Sequence, residues 1–322
     1  MDILVPTKKH NLIFDATVFS ALEGCATYHD LRFNHRFVSI QGKSNSLEVG
    51  SLIHKVLEVY YKHKIDGFRQ DTSEGNAIAA GLLYVNGCPH CAGVMEVKEG
   101  EKLPCGHEPG EYPGMQNTPE YNDKYIIGWR FALDTCQQYF KFYINDSWIP
   151  LAAEEVRKEV LYEDDEIRVG WKAKLDLIVD TNQIGIISMD HKTFKQRRDK
   201  TTLNNQFIGQ CLLLNSRNVL INKIGLQTTL KIDERLTREL VSYSSDKLDE
   251  WKNEILPYYA YKYVQFAESG YWPPNYTHCD GVFGSCMFKR VCESDRNMRV
   301  EVLRNEFQIA PIWDPDNKGD DV

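Results

Sequence analysis

Three charged side chains interrupt or follow apolar, strand-like segments near the middle of the chain. Asp176 lies within LDLIVD, and Asp190 and Lys192 come just after the apolar run IGIIS. Charged groups at the ends of buried strands are costly to desolvate, so their presence needs a chemical reason. Two carboxylates can bind a magnesium or manganese ion, and a lysine two residues along a strand points to the same face. We therefore expect a metal site that stabilises charge on a phosphoryl oxygen, as phosphodiester hydrolysis requires.

The segments around these residues predict the elements that hold them in place. Apolar residues at helical spacing predict helices over 14–33, 46–64, 121–149, 204–216 and about 244–268, whereas apolar runs predict strands over 151–180, 184–188 and 219–230. This order predicts a single α/β domain over 1–322, with a mixed sheet flanked by helices. With 42% hydrophobic residues, the chain can bury a sizeable core.

The order of the charged residues resembles the PD-(D/E)XK nuclease superfamily, in particular its RecB-like branch. Asp190 and Lys192 match the Asp-x-Lys signature, and Asp176 matches the metal-binding aspartate upstream of it. In the predicted helix that follows, Gln206 matches the motif glutamine, and Gln210 stands where the branch has tyrosine. The resemblance implies a restriction-endonuclease-like core in which the two aspartates bind magnesium or manganese.

An early helix extends this resemblance. In GSLIHKVLEVYY, His54 stands where the branch has a further metal ligand. The family then implies that Lys192 stabilises charge or positions water and that Gln206 orients the site or contacts DNA. Glu154 and Glu155 are weaker carboxylate candidates, because a charge run such as EEVRKE is more often a solvated face.

The resemblance also implies an activity and a class of partner. The family acts as exonucleases on DNA ends, often single-stranded, in recombination, repair or replication. The alternative is a DNA-binding subunit that keeps the fold without catalysis, although Asp176, Asp190 and Lys192 are all present. The sequence has no Gly-rich phosphate loop, so any unwinding would come from a helicase or recombination partner in another chain.

Nine cysteines are many for a chain expected in the cytosol, where disulfides are disfavoured. Cys279, Cys286 and Cys292 lie in an irregular segment over 271–295, and Cys25 can supply a fourth ligand. Four thiolates suit a zinc ion as well as an iron–sulfur cluster. One early and three late cysteines resemble the iron–sulfur nucleases of the superfamily, such as AddB-type and CRISPR-associated exonucleases. This resemblance implies a [4Fe–4S] cluster.

A second cysteine group lies in a segment rich in Gly and Pro over 86–120. Cys88 and Cys91 form a C-x-x-C pair, and Cys105 and His107 follow after thirteen intervening residues. This spacing is typical of a structural zinc site, with His90 as an alternative fourth ligand. A segment so poor in apolar residues has no core of its own, so we expect an insertion that depends on zinc.

The charge distribution gives a mixed indication about nucleic acid. The formal net charge is −8, whereas nucleic-acid-binding domains are often basic. HKTFKQRRDK, over 191–200, nevertheless holds five Lys or Arg in ten residues beside the Asp-x-Lys signature. We therefore expect Lys195, Arg197 and Arg198 to contact DNA phosphates.

The sequence also predicts a location. No apolar run approaches the ~20 residues that cross a bilayer, and the first residues do not resemble a signal peptide. We therefore expect a cytoplasmic protein without membrane contact.

Overall fold

The fold is built on one six-stranded sheet. The computed structural model describes residues 9–40, 44–87, 115, 118–124, 126–195, 203–281 and 284–310. The strands are β1 (His10–Phe14), β2 (Phe37–Ser39), β3 (Ile149–Glu163), β4 (Ile167–Asp180), β5 (Ile186–Phe194), β6 (Asn218–Gly225), β7 (Leu236–Ser242), β8 (Asp280–Gly281), β9 (Gly284–Ser285) and β10 (Phe307–Ile309). The helices are α1 (Ala16–Gly24), α2 (Ala26–His29), α3 (Asn45–Ile65), α4 (Gln70–Asn86), α5 (Trp129–Phe142), α6 (Asn205–Leu213), α7 (Ile232–Arg235), α8 (Ser245–Glu250), α9 (Leu256–Ser269), α10 (Lys289–Glu293) and α11 (Arg299–Glu306).

The sheet mixes parallel and antiparallel pairs in the order β1-β4-β5-β6-β7, with β3 paired to β4. β1 runs parallel to β4 and β5 runs parallel to β6, whereas β3 with β4, β4 with β5 and β6 with β7 are antiparallel. The parallel pair β5–β6 is joined through α6, as a crossover connection requires. The predicted α/β class with a mixed sheet flanked by helices is confirmed.

Helices pack on both faces of the sheet, because the buried strands are apolar on both sides. On β6, Leu220 and Ile224 belong to the core formed with α3, α4 and α5. The alternate residues Val219 and Ile221 belong to the core formed with α1, α6 and α9. The two cores fix α3 on one face and α6 on the other, and these helices carry the candidate site residues that lie outside the strands.

A close contact between α6 and β4 depends on glycine at position 209. A Cβ atom on Gly209 would overlap the indole of Trp171, which is fully buried and packs edge-on against Phe19 and Trp251. Any side chain at position 209 therefore forces the helix away from the strand or the indole out of its place.

Gly209→Ala is expected to destabilise the protein by about 1–3 kcal/mol, because the added methyl group overpacks this contact. The matched control is Gly75→Ala in α4, where a Cβ atom meets nothing within 4 Å. There alanine should stabilise the helix by up to about 1 kcal/mol. Urea unfolding of both variants measures the difference, and equal stability of the two would contradict the packing argument.

The structure differs from the predicted elements at several boundaries. The helix predicted over 121–149 begins only at Trp129 and ends at Phe142. Residues before it instead contact α3, with the Asn45 side chain donating to the Ile127 carbonyl. The strand predicted over 219–230 ends at Gly225. Among the helices that the structure describes, none is both long and apolar enough to span a bilayer.

The C-terminal segment returns to the N-terminal helices. β10 pairs antiparallel with β2, and Phe288 and Phe307 pack with Tyr28 and Phe37 in a small core of their own. The backbone N–H of Asn275 donates to Cys25 Sγ at 3.3 Å across a sequence separation of 250 residues. The two ends of the chain therefore meet at the cysteines.

Candidate metal centre

The sheet opens at one edge of β4, and this opening contains the candidate centre. β3 pairs with β4 along its length on one edge. On the other edge, β5 pairs with residues 177–180 and β1 pairs with residues 167–171. Residues 172–176 of β4 therefore face a gap between β5 and β1, and Asp176 lies at its start.

The Asp176 carboxylate closes part of this gap. Its Oδ2 accepts the backbone N–H of His191 at 2.8 Å, where β5 has already separated from β4. The same oxygen lies 3.5 Å from His54 Nδ1 on α3. A side chain thus replaces the missing ladder bond, because a buried backbone N–H needs an acceptor. These two contacts fix the position of the carboxylate between β5 and α3.

Glu154 joins these two residues from β3. It lies between the register pairs Ala153–Leu177 and Glu155–Leu175, which puts it opposite Asp176. Its φ of 57° is unusual for a residue with a side chain and costs of order 1–3 kcal/mol. One ligand atom each of Glu154, Asp176 and His54 lies within 4.8 Å of the others. The strained backbone turns a carboxylate toward the gap.

Asp190 lies on the face of β5 that packs against α6, whereas His54 approaches from α3 on the other face. The Asp190 side chain is almost fully buried there, with 1% of its surface exposed. Its Oδ1 accepts amide N–H groups from Gln206 at 2.6 Å and from Gln210 at 3.2 Å, both on α6. Its Oδ2 lies 2.8 Å from Lys192 Nζ but accepts no aligned hydrogen bond from the part of the chain described. One oxygen is thus fixed by amides, and the other keeps lone pairs that a cation can use.

Lys192 connects the buried carboxylate to solvent. Its Nζ also donates to Gln206 Oε1 at 3.1 Å, and its side chain is 42% exposed. Gln206 therefore contacts both Asp190 and Lys192 and fixes their relative position. An ammonium group at this boundary can reach an anion that approaches from solvent while it remains attached to the buried carboxylate.

Gln210 occupies the motif position where tyrosine was expected. It is buried, and its Oε1 accepts the Ser188 hydroxyl at 2.9 Å. This hydrogen bond fixes the amide so that its N–H group points to Asp190. A glutamine here thus donates to the aspartate, and the aromatic ring is not needed for that contact.

The acidic groups have unequal proton affinities. Burial raises the pKa of Asp176, but the His54 imidazole and the His191 N–H outweigh it and hold that pKa well below the ordinary value. Burial, together with the charge of Asp176, raises the pKa of Glu154 and of Asp190. For His54, Asp176 outweighs burial and raises the pKa. This crowding of carboxylates is unfavourable without a cation, and a divalent ion would relieve it.

His191, the residue between Asp190 and Lys192, belongs to the core on the α3 side. Its ring is buried and stacks on Tyr61, and the Asn222 amide lies 2.8 Å from its Nδ1. Burial lowers the pKa of His191 to about 3, so it is neutral at physiological pH. A neutral imidazole supports the wall behind the centre without adding positive charge there.

The structure brings together five of the residues singled out in the sequence, which are His54, Asp176, Asp190, Lys192 and Gln206. Of the two weaker candidates in EEVRKE, Glu154 joins this group, whereas Glu155 instead pairs with Arg157. Asp190 lies outside the 4.8 Å cluster of His54, Glu154 and Asp176.

The predicted phosphate contacts and zinc ligands are largely beyond the described ranges. Lys195 Nζ donates to Asn45 Oδ1 at 3.3 Å, which turns it toward the start of α3. Arg197 and Arg198 lie outside the described residues. The predicted zinc ligands Cys88, Cys91, Cys105 and His107, with the alternative His90, also lie outside them.

The other four predicted thiol ligands meet at the junction of the chain ends. Burial and the neighbouring thiols Cys25 and Cys279 raise the pKa values of Cys286 and Cys292. No three of these sulfur atoms lie within 4.8 Å of one another. A tetrahedral zinc ion with Zn–S bonds of about 2.3 Å would hold thiolates about 3.8 Å apart. At least some of these sulfur atoms therefore lie further apart than a single zinc ion requires.

Comparison with known proteins adds little to this picture. No protein-family model and no curated protein matches the chain. A solved structure titled "Crystal structure of SSO0001" is similar at 12% identity with a TM-score of 0.24, over 44% of this chain and 67% of that one. A TM-score this low carries no argument about fold or function.

Proposed function

We propose that the protein is a metal-dependent DNA nuclease with a PD-(D/E)XK core. The observation that carries the proposal is the buried Asp190, whose Oδ1 is fixed by two amides and whose Oδ2 faces Lys192, next to the His54–Glu154–Asp176 cluster. Buried carboxylates with unequal proton affinity are costly to fold, and they are a common signature of sites that bind metals or do chemistry.

The donor set of the cluster fits a magnesium or manganese ion. Glu154 and Asp176 offer carboxylate oxygens, which hard divalent cations prefer, and His54 offers one imidazole nitrogen. Magnesium has a stronger demand for oxygen ligands than the first-row transition metals, so the imidazole favours manganese. Asp190 would add a further carboxylate beside this set, with its Oδ2 next to Lys192.

The chain's own groups would then have separable roles. A bound divalent ion would activate water and stabilise charge on the phosphoryl group. Lys192 would donate to a phosphate oxygen or orient the attacking water, while Asp190 holds its ammonium group in place. Gln206 would fix the relative positions of these two side chains, and Gln210 would donate a second hydrogen bond to Asp190 Oδ1.

The four cysteines of the chain ends fit an iron–sulfur cluster better than a zinc ion. A cubane carries its thiolate ligands on four separate iron atoms and so holds them further apart than one ion does. No three of Cys25, Cys279, Cys286 and Cys292 have sulfur atoms within 4.8 Å of one another, which supports this assignment. Such a cluster would join the segment over 271–295 to the N-terminal helices. The insertion over 86–120 is proposed to bind a zinc ion of its own.

The proposed substrate is DNA, attacked from its ends and often single-stranded, in recombination, repair or replication. The direct test is incubation of purified protein with end-labelled single- and double-stranded DNA, with manganese, with magnesium and with a chelator. Chelator-sensitive loss of label supports the proposal. DNA binding without cleavage under every metal condition would instead favour a catalytically inactive DNA-binding subunit of a larger complex.

Glu154→Gln is expected to weaken manganese binding and to lower cleavage by about 10- to 100-fold, because it removes one carboxylate from the cluster. The matched control is Glu155→Gln, which changes the adjacent residue but touches Arg157 instead of the cluster. Calorimetric titration of manganese and steady-state cleavage measure both effects. Equal losses in the two variants would remove Glu154 from the metal site.

A further inference from the structure

A cavity of about 180 Å³ lies between β1, the N-terminal helices and α9. Phe14, Phe33 and Tyr263 give it aromatic walls. Among the described residues that line it, only His29 can carry a charge at neutral pH. Its volume is below the roughly 300–1,000 Å³ of pockets that bind drug-sized molecules. The cavity therefore suits one uncharged ring system, and it offers no strong cation to a buried phosphate.

His29 belongs to the wall of this cavity, and its hydrogen-bonding groups are unused. The residue is 1% exposed, and neither Nδ1 nor Nε2 has a hydrogen-bond partner in the part of the chain described. The ring stacks on Trp272 with an angle of 13° between the planes, and it also packs against Phe33 and Tyr263. These contacts fix the ring without pairing its nitrogens. A neutral imidazole has one donor and one acceptor, so a ligand that supplies both partners would remove the cost of burying them.

The chain directly after His29 departs from regular helix beside the cavity. Residues Asp30–Asn34 form a single π-helical turn, a rare geometry that is frequent at functional sites. This turn brings Phe33 and Asn34 to the cavity wall, where Asn34 Oδ1 accepts the Tyr263 hydroxyl at 3.5 Å. Asn34 is exposed, and Ile13 on the same wall is 53% exposed. The cavity therefore has an aromatic interior and a mouth that opens to solvent.

The position of β1 relates the cavity to the metal centre. Phe14 lies opposite Trp171 on β4, and at about 3.3 Å per residue Trp171 is about 17 Å along that strand from Asp176. An extended single strand of a few nucleotides can cover this distance. The Arg32 guanidinium lies 5.3 Å from the centre of the Phe33 ring, so a cation stands beside the cavity for a phosphate linked to a bound base.

We propose that this cavity binds one unstacked base of a single-stranded polynucleotide whose scissile phosphate lies at the metal centre. The inference rests on the proposed nuclease function and adds a recognition site for its substrate. Phe14, Phe33 and Tyr263 supply aromatic contacts, which tolerate any sequence because every base has a π-face. His29 donates to and accepts from the polar edge of the base. A base paired in a duplex cannot offer that edge, so the cavity selects single strands.

The test uses a short strand of abasic sites that carries either no base, one adenine, or one apolar indole of similar shape. Binding is measured without divalent metal, so the strand stays intact. The wild-type protein should bind the adenine strand about 10-fold more tightly than the abasic strand, because stacking of a base on aromatic side chains is gained. Since the strand can slide, its single base can reach the cavity from any starting position.

His29→Phe separates the hydrogen bonds from the stacking. Phenylalanine keeps an aromatic ring beside Trp272 but has no donor or acceptor, so the variant should bind the adenine and indole strands equally. The matched control is His35→Phe, because the His35 side chain is 59% exposed and lies outside the cavity. This control should keep the full preference of the wild-type protein for adenine.

The outcomes distinguish this inference from the proposed function. Equal affinity of the wild-type protein for abasic and adenine strands, with chelator-sensitive cleavage of DNA, overturns the base site and leaves the nuclease. A preference for adenine that depends on His29, in a protein that never cleaves DNA, supports the base site and overturns the nuclease. A full preference in His29→Phe, or an equal loss in His35→Phe, overturns the assignment to this cavity. Binding of free adenosine that depends on His29, without any gain from adenine in the strand, overturns the role in substrate recognition.

Discussion

Asp190→Asn is expected to lower the rate of DNA cleavage by about a thousandfold, which corresponds to about 4 kcal/mol of transition-state stabilisation. Asparagine keeps the shape of the side chain and one oxygen that can accept from Gln206 and Gln210. Its amide N–H group, however, would then face the Lys192 ammonium, which lies 2.8 Å from Oδ2 in the wild-type protein. Both the anionic oxygen and the partner that positions Lys192 are lost.

The same substitution should leave the fold intact and raise its stability. Burial, reinforced by Asp176, outweighs Lys192 and raises the pKa of Asp190, so the ionised carboxylate is unfavourable in the metal-free protein at neutral pH. A neutral side chain removes this cost. Loss of activity together with a higher thermal midpoint would show that Asp190 serves chemistry at the expense of stability.

The matched control is Asp180→Asn at the end of β4, where the carboxylate accepts the Asn182 N–H at 3.0 Å. Asparagine preserves that hydrogen bond, so cleavage should stay at the wild-type rate. Single-turnover cleavage with saturating manganese compares the two variants while binding of the metal is held constant. Near-wild-type cleavage by Asp190→Asn would remove Asp190 from the active site.

The local sequence signals were sufficient for the residues whose order along the chain is distinctive. Asp190 and Lys192 follow an apolar strand, and His54 lies on a strongly periodic helix. These residues could therefore be predicted from local sequence, without knowledge of which distant segments come into contact. The structure brings them together because α3 and α6 pack on opposite faces of β5. The α/β class followed from the same periodicity.

The sequence offered Glu154 and Glu155 as equally weak candidates and could not choose between them, because the choice depends on strand register. EEVRKE has the same composition whether its first or its second glutamate faces the gap. The choice depends on irregular pairing between Pro150 and Ala152 and on the positive φ of Glu154, and neither feature has a signal in composition. A register shift of one residue would exchange Glu154 for Glu155 at the centre.

The helix predicted over 121–149 was wrong over its first eight residues for a similar reason. Its aromatic and apolar residues have helical spacing, but Gly128 makes a close approach to the backbone of Tyr121, where a Cβ atom would lie 2.7 Å from that residue's Cα. The Gly128 N–H donates to the Asn122 side chain at 2.7 Å instead of continuing a helix. Periodicity describes which residues are buried and gives no information about such tertiary contacts.

The opening in the sheet explains why the metal centre lies where it does. A regular β4–β5 pair would bury the backbone at Asp176 and leave no room for a ligand. Because the strands separate here, the His191 N–H donates to the Asp176 side chain instead of to β4. The same opening lets α3 supply His54 from one face of the sheet, while Gln206 on α6 holds Asp190 from the other. Residues 172–176 of β4 consequently pair only with β3 among the described strands.

Cys292→Ser is expected to abolish iron binding and to release the C-terminal segment over 271–295. Protein purified without oxygen should be brown, with broad absorbance near ~400 nm, and the variant should be colourless. The cluster would join Cys25 to a segment about 250 residues away, so its loss frees a very long loop in the unfolded and native chains. The small core of Phe288, Val291 and Phe307 then has to hold the segment alone.

Cys136→Ala is the matched control, because this buried thiol lies in the core with α5 and belongs to no cysteine group. It should lose a little packing energy but keep the full iron content. Limited proteolysis should cut Cys292→Ser near residues 271–295 much faster than wild type, while the Cys136 variant stays resistant, because only the first loses the link between the chain ends. Wild-type protein that is colourless and binds two zinc ions per chain would replace the iron–sulfur assignment with a zinc site.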